Sequence, residues 1–540
     1  MHSSKARDIF AIFFLLALAV FIWTSPFQQN QYPYGDVDSS THFTLGDYMG
    51  QNDRVIYLLP YYINGTTKGV TTGYGGLNGG KLWYPPQYHI TEAISQLFSG
   101  ARIVPIFLFF AFASSLIAIT AYILIRYLYG FLPALISGFF LIFSFRDIMW
   151  FLSGQYPQVL SFAISPLVIY AAYRYIESFQ EKRPKLVYLL LATILIAVQF
   201  FIHPQAIIVS VLPLAIFSLI FMFKERIIFV NSGHIIIALV LILLLTFSFV
   251  QFPLGKTSIY TKNLGQAKDP RSSYGMDIFF KWYGSLIPAG FHSEAYWSSA
   301  NIYNSFLIVF VILGVIYLIL RRKNQDLLIL SMLLSFYLLM HFSVLAFGRA
   351  ERLIETEAHI IYPLMVIGAL IALPNLVSLF KVSKEIKLIL KYGFAVILVL
   401  IFVLTIGINN YKTLKEAYPG NARITQPQYD ASEWMRANLP AEADVYIFRN
   451  DFPTVLPIFQ NNFPTFYTKK KWIQALSMRH MDWNSQDATN STHMLLDMSD
   501  VYAVYGKQGT DEAQKETETY IGNATLLYDK NYIRVYKVVQ

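Results

Sequence analysis

Apolar runs of roughly twenty residues, separated by short polar stretches, recur along the first three-quarters of the chain. They lie near 9–24, 103–125, 131–149, 157–173, 186–202, 205–223, 235–252, 304–320, 327–347, 359–379 and 392–409. Runs of this length cross a hydrocarbon core about 30 Å thick, so the pattern predicts about eleven membrane-spanning helices. Lys5 and Arg7 precede the first run, but no small-residue cleavage site follows it, so it reads as a retained anchor. From about residue 411 the pattern changes. An amphipathic helix signal (Asp430-Ala431-Ser432-Glu433-Trp434-Met435) ends near Pro440, and strand-like runs follow at Val445–Phe448 and Val501–Tyr505. Ala524–Tyr528 and Tyr532–Val538, joined by Asp529-Lys530-Asn531, read as a hairpin. The expected fold class is an α-helical polytopic membrane protein over 1–410, followed by a small α/β domain over 411–540. About 130 residues suffice for a core of its own.

Composition agrees: 55% of the 540 residues are hydrophobic and 14% charged. Orientation follows from the Lys/Arg bias. With a cytoplasmic N-terminus, the inner loops carry Arg126; Arg174, Lys182, Arg183 and Lys185; Lys224 and Arg226; Arg321, Arg322 and Lys323; and Lys381, Lys384, Lys387 and Lys391. The loops 25–102 and 253–303 and the tail then face outward, as do all three N-x-S/T sequons, at Asn64, Asn490 and Asn523. A plasma membrane is the expected location. The net charge of +9 belongs mostly to the inner basic rim, and no nucleic-acid motif accompanies it. The absence of cysteine excludes disulfides, thiol catalysis and Cys-based metal sites.

Ionisable groups at a membrane edge are costly and need a reason. Just past the first span stands Gly35-Asp36-Val37-Asp38-Ser39-Ser40-Thr41-His42-Phe43, and the loop that follows closes with Trp83-Tyr84-Pro85-Pro86-Gln87-Tyr88-His89 and runs on through Glu92. Asp38 or Ser39 is placed to cap a helix, which puts Asp38 and His42 on one face, four apart. Arg146-Asp147 ends the third span ahead of Gly154-Gln155-Tyr156-Pro157, and His203-Pro204 separates the fifth and sixth. The charged stretch Arg349, Glu351, Arg352, Glu355, Glu357, His359 reads first as a solvated loop, with Arg352, nearest the next span, as its functional candidate. Arg146 and Asp147 read equally as an interfacial ion pair or a phosphate site. Together the carboxylates Asp36, Asp38, Glu92 and Asp147, the imidazoles His42, His89 and His203, and the cations Arg146, Arg349 and Arg352 suit one task. A carboxylate takes a proton from an acceptor hydroxyl while cations hold the phosphate of a lipid-linked donor, and arginine is the better phosphate clamp.

These motifs resemble those of the GT-C superfamily of polytopic glycosyltransferases, whose members include protein mannosyltransferases, aminoarabinose transferases and the oligosaccharyltransferase catalytic subunit. The likeness rests on the acidic motif at 35–43, on Tyr84-Pro85-Pro86-Gln87-Tyr88-His89, on Gly154-Gln155-Tyr156-Pro157, on His203-Pro204, and on Arg349 and Arg352 before the tenth span. It implies a polyprenyl- or dolichyl-phosphate-sugar donor, a glycan, lipid or protein acceptor, and a general base at Asp36 or Asp38, with Asp36 preferred. Tyr84, His89, Glu92, Arg146, Asp147, His203, Arg349 and Arg352 would then line the substrates. Members differ in their need for a divalent ion, and Asp36, Asp38 and His42 are the candidate ligands for Mg or Mn. Two departures leave the acceptor open. The Trp-Trp-Asp string of oligosaccharyltransferases is absent, Met481-Asp482-Trp483-Asn484 coming nearest, and so is the adjacent Asp-Glu of protein mannosyltransferases.

The 253–303 loop, long and mixed in aromatics, glycines and lysines, is expected to act as a lid that keeps water from an activated sugar. A lipid-linked-sugar flippase and a non-catalytic subunit of a surface-glycan machine are the alternatives; no internal repeat marks a transporter.

Overall fold

The computed structural model describes residues 2–29, 31–56, 60, 62, 66–67, 70–71, 82, 85–226, 231–247, 307–341, 353, 355–377, 383–416, 423–447, 463–482 and 491–539. Among them, seven helices are long and apolar enough to cross a membrane: Lys5–Trp23, Val104–Tyr129, Phe131–Leu152, Tyr156–Glu177, Ala206–Glu225, Thr356–Val377 and Glu385–Lys415. Four shorter apolar helices, Leu186–Ile202, Ser232–Thr246, Leu307–Arg321 and Asn324–Leu339, coincide with the remaining runs of the sequence pattern. The chain is an integral membrane protein. The proposed lid, Tyr84, Arg349 and Arg352, and the sequons at Asn64 and Asn490, lie outside the described residues.

Two glycines permit a close helix crossing in the bundle. A β-carbon on Gly314 would lie 2.3 Å from the Leu364 carbonyl, and one on Gly368 only 1.8 Å from that of Phe310. Helices Leu307–Arg321 and Thr356–Ile367 therefore touch backbone to backbone, the packing that small residues permit in lipid. A π-helical turn over Gly368–Ala372 continues the second of them.

The C-terminal part forms a five-stranded mixed sheet in the order His480–Asp482, Asp444–Ile447, His493–Asp497, Ile533–Lys537, Thr525–Lys530. Asp444–Ile447 runs parallel to both neighbours, with Val445 opposite Met481 and His493. The last two strands are the hairpin expected from 524–538. The expected strand at 501–505 is instead helical, the first part of Ser499–Ile521, which kinks at Gly506, where φ is +66°. His493–Asp497 already has a strand on each side. Asp497 then receives the Ser499 amide at 3.0 Å, and the helix starts there. The C-terminal part shares the apolar core of the bundle, with Ile424, Met435 and Trp472 in the same cluster as Phe43 and Phe107, and Arg423 Nη1 donates to the Pro26 carbonyl at 3.0 Å.

Candidate active site

The acidic motif opens the helix Val37–Gln51, with Asp38 in its first turn. Three contacts fasten it to the end of the helix Phe145–Leu152. The Asp36 amide donates to the Leu152 carbonyl at 2.9 Å, Gln155 Nε2 donates to Asp38 Oδ2, and Tyr156 donates its hydroxyl to Ser39 Oγ at 3.0 Å. Gly154 makes this approach possible. Its φ of +82° is left-handed, and a β-carbon there would meet the Ser39 nitrogen at 2.0 Å. Part of the Gly-Gln-Tyr-Pro motif is thus a seat for the acidic motif.

His42 is engaged with a second imidazole. Its ring stacks on His89, with Nδ1 2.8 Å from His89 Nε2, so one proton is shared between the facing nitrogens. Among the described residues no three His, Asp or Glu side chains are grouped to hold a metal ion. Burial pushes the Lys471 ammonium down to about 8, against the opposing pull of the Asp38 charge.

His89 and Glu92 lie on the inner face of the helix Gln87–Ser99, both buried. Glu92 packs against Gly46, where a β-carbon would come within 2.0 Å of its Oε2. Burial, then the Asp47 charge, pushes its carboxyl well above the usual range. A carboxyl raised in this way contributes stability that is complete below its unfolded pKa and is lost as pH rises toward its folded one. Glu92→Gln removes that dependence. Thermal unfolding of the two proteins should coincide near pH 4 and diverge in favour of the variant toward pH 8, by up to about 1.4 kcal/mol per pH unit. Parallel curves across this range would contradict the assignment.

A second cluster joins Phe145–Leu152 to Thr356–Ile367. The loop reading of 355–359 is corrected here: Glu355, Glu357 and His359 are all buried. Nor do Arg146 and Asp147 pair with each other. Arg146 Nη2 reaches Glu357 Oε2 at 3.1 Å, His359 Nε2 lies 2.9 Å from Asp147 Oδ1, and Gln158 Nε2 donates to Glu355 Oε2 at 3.0 Å. Ser144 caps the helix beneath them. Burial, then the Asp147 charge, pushes Glu355 upward. His359 also lines an apolar groove walled by Ile169, Val209, Met332, Phe336 and Leu339. His203 belongs elsewhere: its carbonyl accepts from Ser161, within a buried polar network that includes Gln199 and Ser210.

The sequence reading missed the contribution of the C-terminal part. Trp472, on the helix Phe463–Ser477, is fully buried against Phe43 and Phe107 and donates Nε1 to the Gly35 carbonyl at 3.0 Å. Arg102 binds Asp47 at 2.8 Å and Glu433 at 2.5 Å. The acidic-motif helix is therefore held from both parts of the chain.

A family model covering residues 4–446 matches this sequence. The chain belongs to DUF6541, a family of unknown function. No curated protein matches it in sequence. Among solved structures, the oligosaccharyltransferase of Archaeoglobus fulgidus tethered to an acceptor peptide containing the NVT sequon is similar at a TM-score of 0.53. Its identity is 14%, over 98% of this chain and 74% of that one. AglB from the same organism, in complex with an inhibitory peptide and a dolichol-phosphate, gives 0.52 and 13% over 99% and 75%. ArnT from Cupriavidus metallidurans bound to undecaprenyl phosphate gives 0.48 and 11% over 98% of each chain. At these identities the likeness is one of fold: this member of DUF6541 is folded like the oligosaccharyltransferase of Archaeoglobus fulgidus.

Proposed function

We propose that the protein is a membrane glycosyltransferase that moves a sugar from a polyprenyl- or dolichyl-phosphate donor to an extracytoplasmic acceptor. In this reading the four shorter apolar helices also cross the bilayer, the N-terminus is cytoplasmic, and the sheet-bearing tail is an outer α/β domain.

One observation carries the proposal. The short helix Phe145–Leu152 holds the acidic motif at one end and the Arg146–Glu357 and Asp147–His359 pairs at the other. Five residues of helical rise, about 7–8 Å, separate the two. That spacing suits displacement at an anomeric carbon. The acceptor oxygen attacks from the Asp38 side and the new C–O bond forms. Its proton passes to the Asp38 carboxylate, the bond from the anomeric carbon to the phosphate oxygen breaks, and the lipid phosphate departs as an anion toward Arg146 and His359. The apolar groove that His359 lines receives the first isoprene units. Asp38 is preferred to Asp36 as the base because Gln155 Nε2 donates to its Oδ2 and so orients the carboxylate.

The test uses the full chain in lipid nanodiscs with radiolabelled polyprenyl- and dolichyl-phosphate sugars. Donor binding together with sugar loss from the lipid supports the reading. Failure of every donor to bind or turn over, or transbilayer movement of an intact donor in vesicles, overturns it.

A further inference from the structure

An Asn-x-Thr triplet is short enough to occur by chance, and whether it can carry a sugar depends on how the fold presents it. Asn523-Ala524-Thr525 stands between the helix Ser499–Ile521 and the strand Thr525–Lys530. Gly522, with a φ of +62°, ends the helix, so the asparagine is not what stops it. A β-carbon on Gly522 would have no described atom within 4 Å, so the turn stands in open space.

Burial alternates through the triplet. Asn523 and Thr525 are exposed, and Ala524 between them packs on the apolar cluster of Met494, Val501 and Tyr536. That is the alternation of extended chain, in which positions two apart share a face. The carboxamide and the hydroxyl are therefore presented together, away from the core. Thr525 also opens the last strand of the sheet, which among the described residues is hydrogen-bonded along one side only, to Ile533–Lys537. Tyr528 alone in this strand is partly covered. A transferase can reach the triplet from the open edge with every ladder bond intact, whereas a triplet inside the sheet would require unfolding. The edge itself calls for cover. Leu526 and Leu527 are 47% and 39% exposed, and an open apolar edge invites pairing with another chain. A glycan beside its first residue supplies bulk and hydration there.

We propose that Asn523 is an N-glycosylation site, taking its sugar from a lipid-phosphate-linked oligosaccharide on the outer face of the membrane. The carboxamide nitrogen forms a bond to the anomeric carbon of the donor, and the bond from that carbon to the phosphate oxygen breaks. One amide proton passes to a carboxylate of the transferase, and the lipid phosphate leaves as an anion. This rests on the outward tail of the reading above, and not on the chemistry assigned to the acidic motif. The full chain is purified from its native membranes and digested, and the peptide containing residue 523 is read by mass spectrometry. Wild type should carry a glycan on Asn523. Asn523→Gln and Thr525→Ala should lose it, and Thr525→Ser should keep it. Both positions are exposed, so these variants fold. The chain has no cysteine, so Gln508→Cys, at an exposed position of the preceding helix, reports its side of the membrane through a maleimide that cannot cross it. A bare Asn523 beside thiol labelling from outside overturns the proposal and leaves the outward tail standing. Labelling only after lysis overturns the outward tail, and the proposal with it. A glycan on Asn523 that survives Thr525→Ala also overturns the proposal, because attachment would then ignore the triplet.

Discussion

Asp38→Asn should lower sugar transfer at saturating donor by about 10²- to 10⁴-fold, the usual contribution of a positioned general base, while binding of the lipid-phosphate donor persists. The substitution keeps the size of the side chain, the seat on Gly154 and a hydrogen-bonding partner for Gln155, so the loss measures proton acceptance. Binding should persist because the proposed phosphate groups, Arg146 and His359, stand at the far end of the helix Phe145–Leu152 and are held by Glu357 and Asp147. Initial rates with radiolabelled donor, beside equilibrium binding of the same donor, decide the matter. Asp36→Asn is the internal comparison, since its backbone is bonded to Leu152 and Ser39 whatever its side chain. A loss confined to Asp36→Asn would return the base to Asp36, the residue the sequence alone favoured. Loss of donor binding in Asp38→Asn would show that the acidic motif belongs to the phosphate side.

The spans, the terminal hairpin and the placing of acidic and imidazole groups beside the first helix were legible because each rests on local pattern. Apolar length and period-two alternation need no knowledge of distant residues. The polar pairings were not legible, for the opposite reason. Glu355, Glu357 and His359 read as a solvated loop because nothing nearby in sequence neutralises them, and Arg146 lies 211 residues from Glu357. Trp472 likewise carries no local signal, because the carbonyl it donates to, that of Gly35, lies 437 residues away. The mistaken strand at 501–505 has a related cause. Val501-Tyr502-Ala503-Val504-Tyr505 has strand composition, but whether it pairs depends on sheet neighbours set by Asp444–Ile447 and Ile533–Lys537.

Arg146→Met should destabilise the bundle by about 3–5 kcal/mol, because it strands a buried carboxylate while the arginine volume is nearly kept. Arg146 and Glu357 are 1% and 3% exposed, so water cannot take over the lost partner. Glu357→Gln in the same background should recover most of that loss, since two neutral side chains of similar size replace an ion pair whose desolvation offsets much of its attraction. Thermal unfolding of the two single variants and the double variant in one detergent measures the coupling, and additive losses would mean that the pair is not a unit. The double variant also separates the two roles that sequence left open for Arg146. If it folds as well as wild type and still transfers sugar, Arg146 is a structural partner of Glu357 and the phosphate is held by other groups. If it folds and binds no lipid-phosphate donor, the guanidinium serves the phosphate, and Glu357 is what keeps it in place between turnovers.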